Sequence, residues 1–99
     1  MNKLRIATVC GVGMGSSLIL RMTVEDVLKE MGVEASVTAT DASSVRSEGA
    51  DIILGQAMHT VELESVAPAV VAVRNFVDKA EVRSALEMAL NILRGNAGP

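Results

Sequence analysis

Four short strand-like runs, at residues 4–9 (LRIATV), 34–39 (EASVTA), 51–54 (DIIL) and 69–73 (AVVAV), alternate along the chain with stretches whose apolar residues recur at helical spacing. Such alternation is the pattern of a parallel sheet, because parallel neighbours need a long crossover and right-handed crossovers return each strand to the same edge. The fourth run is apolar without a break, as in a strand covered on both faces. The expectation is an α/β fold: a single-domain, three-layer sandwich around a four-stranded parallel sheet in the order 2-1-3-4, flavodoxin-like or Rossmann-like. It spans residues 1–95, with 96–99 as a flexible tail.

The helices are read from caps and spacing. Ser16 or Ser17 caps a first helix that reaches about Met31, with Leu20, Val24, Val27, Leu28 and Met31 on its core side and Gly32 as its stop. The connector 41–49 has room for a turn or two of helix. Residues 55–66 hold a loop over the strand ends and then a short helix capped at Thr60. Asp78 and Glu81 form a capping-box pair for the last helix. Val82, Leu86, Ala89, Leu90 and Leu93 line one side of it, and Gly95 ends it. Met22, Met31 and Met88 are read as core.

Composition removes several function classes. At 99 residues the chain fits one domain. No apolar run approaches the roughly 20 residues of a membrane span, and no signal-peptide pattern opens the chain, so the expectation is a cytoplasmic protein without direct membrane insertion. Lys and Arg total 9 against 12 Asp and Glu, the basic residues stand singly, and Phe76 is the only aromatic. Nucleic-acid binding wants a basic face with stacking platforms, and neither is present. With Cys10 the only cysteine and His59 the only histidine, neither an internal disulfide nor a metal site is expected, and no cofactor is implied.

The segment with chemistry is CGVGMGSS, residues 10–17. Gly11, Gly13 and Gly15 permit backbone conformations that let amides turn inward around an anion, and the helix that follows brings its unpaired N–H groups and positive dipole end to the same place. The hydroxyls of Ser16 and Ser17 add donors. A thiol beside a helix amino terminus is acidified from its usual value of about 8.5. Cys10 is thus the candidate nucleophile, with the three glycines, Ser16 and Ser17 as an anion cradle around it. A turn of this kind also occurs for packing alone, and a buried cysteine often serves as a small hydrophobe.

Neighbouring motifs fail. Thiol phosphatases use C-x5-R, and that arginine position is Ser16 here. No lysine follows the glycines, as a nucleotide P-loop requires, and the glycine spacing misses G-x-G-x-x-G by one residue. Asp41, after the second strand, mimics the ribose-binding acid of a dinucleotide fold, but no substrate domain accompanies it.

The order strand, C-G-x-G-x-G-S-S, apolar helix resembles the IIB subunits of the bacterial sugar phosphotransferase system (PTS), within the lactose/cellobiose-like group and closest to its ascorbate-type branch. The segment VRN at 73–75 resembles that branch too, and the GSS ending differs from the A-T-S of galactitol-type relatives. The resemblance implies a phosphoryl carrier. By that resemblance Cys10 takes a phosphoryl group from a phosphohistidine of the IIA subunit (EIIA) and passes it to the sugar at the membrane IIC subunit (EIIC), and Gly11, Val12, Gly13, Met14, Gly15, Ser16 and Ser17 form its phosphate cradle. The competing readings are a thiol phosphatase-like enzyme and a non-catalytic anion-binding regulatory module.

Auxiliary candidates carry two readings each. Met14 lies on a partner-docking face or fills the core. His59 contacts the phosphoryl group or a partner, or is solvated. Arg21 lends charge to the cradle or pairs with Glu25 at i+4. Arg74 and Asn75, at the carboxyl end of the fourth strand, frame the site or lie outside it.

Overall fold

In a computed structural model, residues 4–9 and 14–95 are described, without the side chains of 14–17 and 59. The elements run β1 (Leu4–Val9), α1 (Met14–Met31), β2 (Ala35–Thr40), a 3-10 turn (Ser44–Ser47), β3 (Ile52–Gly55), α2 (Ala57–Thr60), a second 3-10 turn (Val61–Leu63), β4 (Ala69–Ala72) and α3 (Lys79–Gly95). The four strands form one parallel sheet in the order β2-β1-β3-β4, as the alternating pattern predicts. The expected tail, 96–99, lies outside the described residues.

The two-residue side-chain period of the strands sorts the core into two layers. Ile6, Val37, Ile52, Leu54, Ala69 and Val71 face one way and pack under the long helices, which contribute Leu20, Val24, Val27 and Leu28 from α1 and Val82, Ala85, Leu86 and Ala89 from α3. Ala7, Val9 and Ile53 face the other way, beneath Val45, Leu63 and Ala67. That second layer is thin because the connections 41–51 and 56–68 hold only short helical turns. Each fully buried Leu, Ile or Val contributes about 1.5–3 kcal/mol, so the helix-covered face carries most of the stability.

Helix ends follow local chemistry. Gly32 takes φ of 71°, and the Gly32 and Val33 N–H groups donate to the Lys29 and Leu28 carbonyls at 3.2 and 3.0 Å, closing α1 with a left-handed glycine. The Asp78 carboxylate accepts the Ala80 and Glu81 N–H groups at 3.0 and 3.2 Å and so caps α3.

Several expectations are corrected. α1 begins at Met14, so Ser16 and Ser17 stand inside its first turn and neither is the N-cap. Gly15 is helical as well. The first turn makes no i−4 bonds of its own, so glycine and serine cost little there and the helix starts closer to β1 than the cap residues suggest. Thr60 stands at the N-cap position of the second 3-10 turn but makes no side-chain capping bond. Its backbone is helical and its hydroxyl donates to the Ala57 carbonyl at 3.2 Å. Met22 and Met88 are exposed, at 65% and 56%, and do not belong to the core. Each lies two residues, about 200° around its helix, from a core leucine (Leu20, Leu86). Met31 does pack against the core, as expected.

Candidate functional site

The strand registers align one edge of the sheet. Thr40 pairs with Val9, Val9 with Gly55, and Gly55 with Ala72, so the four strands end in one row. The segments that follow leave from this carboxyl edge together: Cys10 after β1, Asp41 after β2, α2 with His59 after β3, and Arg74 with Asn75 just beyond β4. Parallel α/β sheets bind ligands at this edge, where the order reverses. The reversal here is at β1, between β2 and β3.

Cys10, Gly11, Val12 and Gly13 lie outside the described residues. Their boundaries do not: the chain leaves the sheet at Val9 and enters α1 at Met14, so only these four residues join the strand end to the positive end of an 18-residue helix. The backbones of Met14, Gly15 and Ser16 supply first-turn N–H groups with no intrahelical acceptor, and Ser17 completes that turn. Met14 is thus the first helical residue. The arrangement can stabilise negative charge at the head of the helix, a thiolate or a phosphoryl oxygen alike.

The sheet is built tightly at this point. A Cβ on Gly55 would overlap the carbonyl oxygen of Val9, so only glycine lets the ends of β1 and β3 approach as they do. The carbonyl of Gly55 in turn accepts the Val73 N–H at 2.8 Å, which carries the ladder one residue past β4.

Beyond Val73 the chain is fixed by a carboxylate. Glu81 accepts the Arg74 N–H at 2.6 Å and the Asn75 N–H at 3.0 Å, one on each oxygen. The capping-box expectation holds for Asp78 and is corrected for Glu81: the Asp78 N–H donates to the Asn75 carbonyl at 3.2 Å, and Glu81 reaches the earlier amides instead. The Asn75 side-chain oxygen accepts the Val77 N–H at 3.1 Å, an Asx turn that engages this side chain locally. Arg74 is exposed.

On the first helix, Arg21 Nε lies 3.3 Å from Glu25 Oε2, the i+4 pair expected. Both side chains are more than two-fifths exposed, so the pair adds little to stability. At the end of β2, the Asp41 carboxylate accepts the Ser44 N–H at 2.7 Å, and that bond lowers its pKa from the ordinary value. A groove of about 380 Å³ beside Leu28, Val33 and Ala35 lies at the opposite, amino edge of the sheet.

Gly55 and Glu81 shape this edge, and neither stands out in the sequence for that role. The signal for Gly55 is a glycine closing the apolar run DIIL. Glu81 is visible only as a capping-box residue, and nothing in the spacing reveals that its partners lie upstream.

Comparison with known proteins agrees with this geometry. Residues 5–88 match the family model described as PTS system, Lactose/Cellobiose specific IIB subunit. A protein of Mycoplasma pneumoniae named ascorbate-specific PTS system EIIB component is 36% identical over 92 residues, covering 90% of this chain and 97% of its own. A Shigella sonnei protein of the same name is 36% identical over 80 residues, 78% of this chain and 79% of its own. Among solved structures, the lactose-specific IIB component domain of the phosphotransferase system from Streptococcus pneumoniae superposes with a TM-score of 0.65 at 16% identity, over 91% of this chain and 97% of that one, a likeness of fold. Among the described residues, no helix is long and apolar enough to cross a membrane.

Proposed function

This chain belongs to the PTS lactose/cellobiose-specific IIB family, and from that premise we propose that it is an ascorbate-type phosphoryl carrier whose nucleophile is Cys10. Residues 1–95 form the carrier domain of this reading. It works in the cytoplasm between a phosphorylated IIA protein and a membrane IIC protein.

One observation carries the reading: a strand end and the positive end of a long helix are joined through four residues headed by the only cysteine. There the helix dipole and first-turn amides stabilise a thiolate. The Cys10 sulfur attacks phosphorus of the IIA phosphohistidine. The S–P bond forms as the N–P bond breaks, and the imidazole nitrogen keeps the electron pair. In the second step a sugar hydroxyl oxygen attacks the same phosphorus, the S–P bond breaks, the thiolate is restored and the hydroxyl proton passes to water. Both steps run through a loose transition state whose charge sits on the non-bridging oxygens, so a preorganised ring of donors from Gly11 to Ser17 supplies the catalysis. With no arginine at the C-x5-R position the phosphocysteine is held for transfer, which a relay needs and a phosphatase does not.

The test is incubation with a phosphorylated ascorbate-type IIA protein, followed by the mass of the intact product. One added phosphate is expected on the native protein and none on Cys10→Ser, apart from a slow serine ester. Brisk hydrolysis of a phosphoester with no acceptance from IIA would overturn the reading in favour of a thiol phosphatase. Phosphate binding with neither reaction would leave only an anion-binding module.

A further inference from the structure

The turn from β4 into α3, residues 73–78, is held by nearly every donor it has. Val73, Arg74, Asn75, Val77 and Asp78 each donate a backbone N–H to a protein acceptor. Glu81 takes two of these, and a carboxylate with one amide on each oxygen is a strong, charge-assisted clamp. Capping α3 does not require that clamp, because Asp78 already binds the first-turn amides.

The clamp also decides where charge lies. With both Glu81 oxygens turned to the backbone, its carboxylate makes no ion pair with Arg74. Arg21, Lys79 and Arg83 each stand in an ion pair; among the described residues Arg74, like Arg5, Lys29, Arg46 and Arg94, stands in none, and it is exposed at the carboxyl edge. Its position is specific. Ala72 is in register with Gly55 and Gly55 with Val9, so Arg74 leaves the carboxyl edge two strands from the end of β1 at Val9, a lateral separation of about 10 Å at the usual strand spacing. An arginine side chain spans much of that distance.

We propose that Glu81 is a positioning residue for phosphoryl transfer: by clamping the Arg74 and Asn75 amides it fixes the turn after β4, so that the Arg74 guanidinium stands unpaired beside the path of the phosphoryl group to Cys10. This rests on the phosphoryl-carrier reading given above. The guanidinium neither gains nor loses a proton. It faces the non-bridging oxygens from outside the loop while the N–P bond breaks and the S–P bond forms, and so adds positive charge to the transfer step.

The experiment compares the native protein with Glu81→Gln, Arg74→Gln, Arg74→Lys and the Glu81→Gln/Arg74→Gln double variant. Two readouts are used: the rate of Cys10 phosphorylation by phosphorylated IIA at varied donor concentration, and protection of Cys10 from iodoacetamide by inorganic phosphate. Glu81→Gln keeps one amide acceptor and loses the other. Each Gln variant is expected to lower the transfer rate about tenfold and to weaken phosphate protection to a similar degree, the scale of one charge-assisted contact. The double variant should be no worse than Arg74→Gln, and Arg74→Lys should recover part of the loss. A Glu81→Gln protein that unfolds more easily in urea but transfers phosphate at the native rate would show a structural clamp alone and overturn the proposal. Additive losses in the double variant would overturn it too. Arg74→Gln leaves both amide bonds in place, so a native rate there is equally decisive if Glu81→Gln does not fold. No phosphate on the native protein would overturn both this proposal and the carrier reading, whereas native acceptance matched by every variant would overturn only the role given to Glu81.

Discussion

Gly55 faces Val9 across the β1–β3 ladder with no room between its α-carbon and the Val9 carbonyl oxygen for even a methyl group. The obstacle is backbone inside a parallel sheet, which cannot rotate away as a side chain can. Gly55→Ala is therefore expected to destabilise the protein by about 1–3 kcal/mol in urea unfolding, the usual cost of forcing extra volume into a packed interior. Because Val9 is the residue before Cys10, the rate of phosphoryl acceptance should fall as well, even where the variant is fully folded. Native stability in Gly55→Ala would show that the two strand ends are looser than this geometry requires.

The Asp41 carboxyl is held below its ordinary range mainly by the Ser44 N–H. The folded pKa is the lower one, so the bond stabilises the folded state above the unfolded value of about 3.9 and its contribution is lost as pH falls through the folded value. Asp41→Asn is expected to lose that contribution at neutral pH and to match the native protein below the folded value, so that the acid limb of stability against pH flattens. Side-chain carbonyl shifts measured by NMR against pH should place the Asp41 midpoint below that of a free aspartate. A midpoint at the ordinary value would remove the Ser44 bond from the account.

The sheet order and both long helices were legible in the sequence because strand and helix periods alternate. Full burial of both faces holds for β3, whereas the AVVA run of β4, at the sheet edge, buries Ala69 and Val71 and leaves Ala72 exposed, against expectation. Leu20, Val24, Val27 and Leu28 also recur at a spacing only a helix satisfies. Side-chain type without angular position was less informative. Met22 and Met88 are apolar and sit in the right helices, yet each is turned about 200° from its core leucine. Met22→Gln and Met88→Gln are accordingly expected to stay within about 0.5 kcal/mol of the native protein. Leu86→Ala, which removes a fully buried side chain, should cost about 2–5 kcal/mol. A loss of that size at Met22 would return it to the core.

The site was legible in part, for a physical reason. Residues 10–17 stand out by composition as a candidate, since glycines, serines and a thiol gather where a strand gives way to a helix. The supporting contacts do not. Glu81 binds amides six and seven positions upstream, and the need for glycine at 55 depends on a strand 46 positions away, so both follow from tertiary structure that no local pattern encodes. What composition does claim, an acidified thiol beside an anion site, can be measured without any partner protein. Cys10 should be alkylated by iodoacetamide near neutral pH faster than a free cysteine, because a larger fraction is thiolate, and the pH dependence should have its midpoint below about 8.5. Inorganic phosphate should slow the reaction by occupying the same amides, while chloride at equal ionic strength should not. Alkylation at the rate of free cysteine, indifferent to phosphate, would mean that the dipole and amides at the head of α1 do not act on the sulfur, and the phosphoryl-carrier chemistry would lose its physical basis.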